Sequence, residues 1–305
     1  MSSDALGSAL RAALGEAAVR GEHDAIRVRA ASVDDVRTVL RLAASLDARV
    51  AVPGGDLAPG PGVISLDLDG LARVSSLDVE SRTIHVEGGA SLGMTEAYLR
   101  ARGLTLGTVE GAASERSTIS AWLAQGAWGA RAHADDPVDQ LVCGLEVVLA
   151  DGQLLTIRPA PRRAVGPDLV PSFVGGRACL GVIVGAHLVA RGVVPHTDVT
   201  YRFATRAAGE SARAWVRGRG VRPASTALLY DGPAVTYLLV RVEGRHAMRE
   251  ASLSVVDDIA RARGGERCEM PDSLRAPTPP QPAPPSDTVR ALARVLDPAG
   301  VLRAQ

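Results

Sequence analysis

Between Ile26 and Gly55 the apolar residues change their spacing twice, and the segment ends in a glycine loop. Ile26 and Val28 alternate as in a short strand. Ser32-Val33-Asp34-Asp35 then reads as a capping-box-like helix start, and Val36, Val39, Leu40 and Ala43 keep one helical face to about Leu46. Val50 to Val52 reads as a buried strand, closed by Pro53-Gly54-Gly55. This β-α-β opening constrains the chain to a fold that mixes helix with sheet.

The punctuation on either side differs. Upstream, Leu6, Leu10, Leu14 and Val19 space as one face of an amphipathic helix over the first twenty residues. Downstream, Val63 to Leu66, Val74 to Leu77 and Thr83 to Glu87 read as short strands, and Gly88-Gly89 leads into a helix from Ser91 to Arg102. Leu141 to Leu149 and Leu154 to Ile157 form a hairpin across Asp151-Gly152, and Val182 to Ala190 is a further strand. From Val199 the order is strand, helix near Ala207 to Arg219, strands Ala227 to Tyr230 and Tyr237 to Val242, then helix His246 to Arg263. That order predicts a small antiparallel sheet with its helices on one face. Pro277, Pro279, Pro280, Pro282, Pro284 and Pro285 make Pro271 to Pro285 an extended linker, followed by a last helix from Asp287 to Leu296.

The 305 residues suffice for about two domains with a sizeable core, and 46% apolar with 22% charged residues is a globular composition. Basic and acidic residues balance at 34 each, so no global field draws the chain to nucleic acid or to anionic lipid. Cys143, Cys179 and Cys268 match neither a disulfide framework nor a metal knuckle, and read as buried small hydrophobes. The N-terminus lacks the apolar core of a signal peptide and no run is long enough to span a membrane, so the expected location is cytoplasmic.

No Walker loop, HExxH, CxxC or GxSxG occurs. His23, His85, His187, His196 and His246 are isolated and read as structural or surface residues; His133, beside Asp135-Asp136, carries slightly more weight. The loop Pro53-Gly54-Gly55-Asp56-Leu57 reads either as an ordinary turn or as a cradle in which successive N–H groups hold a phosphate.

Five segments in order carry a family resemblance: Val50-Ala51-Val52-Pro53-Gly54-Gly55 after a helix; Ile84-His85-Val86-Glu87-Gly88-Gly89 before one; Ser117 to Trp122; Val138 to Gly152; and Gly166 to Leu169 followed by Phe173 to Ile183. Together they resemble the FAD-binding domain of the vanillyl-alcohol oxidase and p-cresol methylhydroxylase (PCMH-type) superfamily, in the branch of alkyldihydroxyacetonephosphate synthase, glycolate oxidase FAD subunits and D-lactate dehydrogenases. The implied fold class is α+β: an N-terminal helix over 1–25, a two-subdomain PCMH-type domain over 26–192 and a truncated cap with an antiparallel sheet over 193–267. A Pro-rich linker over 268–286 and a C-terminal helix and tail over 287–305 complete it.

The resemblance implies noncovalent FAD, with Pro53, Gly54, Gly55, Asp56 and Leu57 around the pyrophosphate. The stretch Gly111 to Gly129, with Ser114, Thr118, Ser120 and Ala121, would form a second wall, and the backbone near Ile183 would meet the flavin or adenine end. This chain departs from the pattern at Asp56, which sets a carboxylate beside a pyrophosphate, at Ser120-Ala121 in place of paired glycines, and at Arg177-Ala178 in place of an acidic residue and glycine. No residue is nominated as a substrate base or metal ligand. The implied function is a flavoprotein oxidoreductase, or a subunit of one beside a larger flavoprotein or electron-transfer partner, taking a hydride from a small hydroxy acid or alcohol. The alternative is a noncatalytic FAD-fold scaffold or assembly subunit.

Overall fold

The computed structural model describes residues 3–21, 26–107, 117–127, 141–160, 167–218, 221, 223–232, 235–271 and 284–303. The N-terminal helix α1 (Ser3–Leu14) ends before a 3-10 turn and a short strand β1 (Val19–Arg20), because Gly15 takes φ +87° and breaks the helix. The apolar face predicted for the first twenty residues is therefore shared between a helix and a strand.

Strands β2 (Ile26–Arg29) and β3 (Arg49–Ala51) flank β4 (Val63–Asp67) in parallel, with Val28 opposite Leu66 and Val50 opposite Ile64, and β1 pairs antiparallel with β2. The crossover is α2 (Val33–Ser45). Its first turn is closed by the predicted box: Ser32 Oγ accepts from the Asp35 amide at 3.2 Å, and the Asp35 carboxylate accepts from the Ser32 amide at 3.1 Å. Such a cap contributes about 1 kcal/mol. Val36, Val39, Leu40 and Ala43 are the face it buries against the sheet, in a core shared with Val28, Val50, Ile64 and Leu66.

The second sheet is antiparallel and runs β5 (Val74–Asp78), β6 (Thr83–Glu87), β10 (Gly181–Val189), β8 (Val142–Leu149), β9 (Leu154–Ile157). Alternation puts Ile84, Val86, Leu145, Val147, Ile183, Ala186 and Leu188 on one face. That face is covered by α3 (Leu92–Arg100), α4 (Ile119–Ala124) and α8 (Asp287–Leu296). The hairpin turn falls at Asp151-Gly152, with Gly152 at φ +78°. Its carbonyl accepts from Arg37 Nε at 3.2 Å and Arg41 Nη2 at 3.4 Å, which ties α2 to the second sheet. Gly88 and Gly89 are there for backbone packing: a Cβ would stand 2.3 Å from the Ile183 carbonyl oxygen at Gly88 and 1.9 Å from that of Leu68 at Gly89.

A short pair, β7 (Leu104–Thr105) with β11 (Arg191–Gly192), precedes the third sheet. That sheet is antiparallel in the order β13 (Ser225–Asp231), β14 (Val235–Glu243), β12 (His196–Phe203), β15 (Glu266–Cys268). The helices α6 (Arg206–Gly218) and α7 (His246–Arg261) close its core of Tyr201, Phe203, Leu238, Val240 and Val256. An Arg191–Glu243 pair, bonded at 2.6 and 3.0 Å, joins this unit to the second. The chain then returns: Val289 and Ala293 of α8 enter the second core, and Val301 and Leu302 the first. Among the described residues no helix is long and apolar enough to cross a membrane.

Candidate functional site

β3 delivers the chain into the Pro53-Gly54-Gly55-Asp56-Leu57 turn, closed by a Gly55 amide to Val52 carbonyl bond of 3.0 Å. Gly54 is at φ +78°, and a Cβ there would lie 2.8 Å from Ala121 Cα, from the Ala121 carbonyl oxygen and from Ala124 Cβ. The turn thus rests directly on α4. Among the described residues no acceptor is found for the Gly54, Asp56 and Leu57 amides. Closely spaced open N–H groups of this kind suit an anion.

The α4 side is more closed. Thr118 caps the helix, accepting the Ala121 amide at 3.2 Å, while Ile119 and Ser120 donate to the Ala90 and Gly88 carbonyls at 2.8 Å each. Ser120, where the family has a glycine, is buried, and the Ala121 backbone lies directly under Gly54. Ile183 is buried within β10, opposite Val147, and its carbonyl oxygen lies beneath Gly88. Gly111, Ser114, Gly129, His133, Asp135 and Asp136 lie outside the described residues.

The far end of α4 is capped by the loop before β10. Gly175 and Arg177 donate to the Leu123 and Ala124 carbonyls, both at 2.9 Å, satisfying groups a helix end leaves open. To do so Arg177 and Ala178 adopt φ +50° and +55°, at about 1–2 kcal/mol each for residues carrying a Cβ. The result sends the Arg177 guanidinium into an ion pair with Asp56. The carboxylate that the sequence places beside a pyrophosphate is therefore already matched by a cation, and the two departures from the family pattern compensate each other.

Beside this pair opens a cleft of about 330 Å³, bordered by Asp56, Arg177, Cys179, Arg290, Arg294 and Arg303. Four guanidinium groups line it, of which Arg177, Arg290 and Arg303 each stand beside a carboxylate, of Asp56, Asp287 and Asp297. Arg303 reaches the rim because the tail folds around Asp297. That buried carboxylate accepts the Val301 and Leu302 amides at 2.8 and 3.0 Å and lies 3.5 Å from Arg303 Nε. The Val50 amide donates to the Val301 carbonyl at 2.8 Å, which seats the tail against β3. Burial pushes the Cys179 thiol up and the Asp56 carboxylate adds to the rise, so the sulfur stays protonated and neutral at neutral pH.

The arginines of the tail and of α8 were not anticipated from sequence. Asp297-Pro298-Ala299-Gly300-Val301-Leu302 stands out as a motif, but nothing in it reveals which loop Arg303 meets. The donor set fits the diphosphate of a dinucleotide: open amides on a glycine turn, with guanidinium groups beside them.

Comparison with known proteins agrees with this geometry. Residues 25–158 match the family model described as FAD binding domain. The "Uncharacterized FAD-linked oxidoreductase YgcU" of Escherichia coli (strain K12) is 28% identical over 171 residues, covering 55% of this chain and 35% of the relative. The "Probable D-lactate dehydrogenase, mitochondrial" of Danio rerio is 29% identical over 223 residues, covering 67% of this chain and 44% of the relative. The chain thus spans less than half the length of these curated relatives. Among solved structures, 4-ethylphenol oxidase from Gulosibacter chungangensis superposes with a TM-score of 0.67 at 14% identity, covering 98% of this chain and 70% of the other. p-Cresol methylhydroxylase gives 0.65, also at 14% identity, covering 99% and 72%. Residues 25–158 thus match the FAD binding domain model, and the chain as a whole shares the fold of the PCMH-type flavoproteins.

Proposed function

We propose that the protein is a flavoprotein that holds FAD noncovalently and works as an oxidoreductase, or a subunit of one, on a small hydroxy acid or alcohol. The observation that carries this reading is the open Gly54–Leu57 turn beside a guanidinium-lined cleft, within the segment matched by the FAD binding domain model. The amides of Gly54, Asp56 and Leu57 would donate to the diphosphate, and Arg177 and Arg303 would supply its counter-charge. When bound, FAD supplies a two-electron acceptor for a substrate hydride. The hydroxy acid class is supported by the likeness to the Danio rerio dehydrogenase, and D-lactate is the first substrate to try.

A noncatalytic scaffold is the second reading, favoured by α4, whose first amides are already engaged by the protein itself. The visible absorption of the purified protein, before and after incubation with excess FAD and desalting, separates the two. A retained flavin spectrum supports the first reading, and Arg303→Ala should then weaken FAD about 10–100-fold, the worth of one charge-assisted hydrogen bond. Protein that stays colourless through both treatments overturns it.

A further inference from the structure

Away from the cleft, three ligand-type side chains meet on neighbouring strands of the second sheet. His85 on β6 lies directly opposite His187 on β10, with ring centroids 4.7 Å apart. Glu146 reaches the same face from β8, and its Oε1 is 3.6 Å from His85 Nε2. One ligand atom from each of the three lies within 4.8 Å of the others. All three are half-buried.

The gap between them is held open by Gly185, which stands opposite Glu146 in the register. A Cβ at Gly185 would fall 2.6 Å from Glu146 Oε2 and 3.2 Å from His85 Nε2, so any side chain here would fill the space the carboxylate and imidazole face. His85 Nε2 is shielded from solvent, yet it has no hydrogen-bond partner, because 3.6 Å is too long for one. A polar atom in that position calls for an explanation. On the opposite side of the ring, Nδ1 is 3.1 Å from Ser75 Oγ. A proton on Nδ1 donated to that hydroxyl leaves the Nε2 lone pair facing Glu146 and His187, which is how an outer partner orients a metal-binding histidine. The nearby Glu87 is not part of the set, since Arg73 occupies it through its amide and Nε, both at 2.8 Å.

We propose that His85, Glu146 and His187 form a site for a divalent transition metal of the Zn²⁺ class. Two imidazoles and a carboxylate suit such an ion and not Ca²⁺ or Mg²⁺, which take oxygen ligands. Metal–nitrogen bonds of about 2.0–2.1 Å place ligand atoms about 3.3–3.5 Å apart, so the ligand atoms, now within 4.8 Å of one another, would draw together on binding. The remaining coordination positions face the half-exposed side of the sheet and would be filled by water.

The test uses the full chain, stripped with a chelator and titrated with Co²⁺ and then Zn²⁺ in competition with a chromophoric chelator. The expected result is one equivalent bound, with visible Co²⁺ bands that Zn²⁺ abolishes. His187→Gln and Glu146→Gln should each lower Zn²⁺ affinity at least about 100-fold, and Ser75→Ala about 10-fold, on the scale set by orienting partners. His246→Gln, on an exposed helix position, serves as the control and should change nothing. Wild-type protein that binds no stoichiometric metal overturns the site, as does His187→Gln or Glu146→Gln binding with wild-type affinity. Should His187→Gln fail to fold, Glu146→Gln decides, because its amide keeps the shape and removes only the charge. None of these readouts requires flavin.

Discussion

Gly54 and Gly55 are adjacent in one turn, yet the structure predicts losses of very different size for Gly54→Ala and Gly55→Ala. From sequence, side chains at either position would be expected to displace a pyrophosphate. The tertiary structure puts the Gly54 Cβ position 2.8 Å from backbone atoms of Ala121, with the residue at φ +78°. Alanine there carries about 1–2 kcal/mol for the left-handed backbone and about 1–3 kcal/mol for overpacking against a helix that cannot yield locally. A loss of roughly 3 kcal/mol would lower Tm by about 5 °C for a chain of this length. At Gly55 the nearest atoms are Val52 Cγ2 and the Val52 carbonyl oxygen, both at 3.2 Å, with no positive φ to strain. That substitution should cost under about 1 kcal/mol. Thermal melts of both variants without added flavin, followed by flavin retention at a temperature where each is folded, separate packing from ligand effects. Equal melting temperatures for Gly54→Ala and Gly55→Ala would refute the reasoning, because the argument rests on the contact with α4 and not on the cofactor.

Three other outcomes are expected. Asp56→Asn removes the carboxylate that competes for Arg177, so FAD retention should tighten by about 3–10-fold in a titration, the pair being partly solvent-screened. Asp297→Ala strips the acceptor from two buried amides and frees Arg303; chemical denaturation should show a loss of about 2–4 kcal/mol, accompanied by weaker FAD binding. Burial pushes the Tyr201 phenol up, and its 2.6 Å hydrogen bond to Asp257 adds to the rise. The sign follows from linkage: a folded-state value raised above the ordinary one gives stability that is fully present below about pH 10 and is lost as pH climbs through the folded value. Denaturation midpoints should therefore fall more steeply above that pH in the wild type than in Tyr201→Phe; parallel curves would exclude the phenol as the source.

Much of the fold is local enough to be written in short stretches of sequence. Ser32 and Asp35 bond within one turn, and the Asp151-Gly152 hairpin needs only a residue free to adopt positive φ. The alternation along β6, β8 and β10 reports one face against a core. Glycines were harder to read, because a glycine kept for ligand access and one kept for packing look alike. Gly88 and Gly89 turned out to admit neighbouring carbonyl oxygens, and Gly54 to admit α4.

By itself the sequence determined most of the longer elements, their order and the resemblance that the glycine turn carries, because caps, turns and apolar periods act over a few residues. Only the tertiary structure decided which charges face one another. Asp56, Arg177 and Arg303 converge because β3, the loop capping α4 and the Asp297 tail close on the same cleft. His85, Glu146 and His187 read as isolated along the chain and become neighbours through the pairing of β6, β10 and β8. A strand pattern fixes which way a side chain points, but strand order and register fix what stands beside it, and those depend on contacts between residues far apart in the chain.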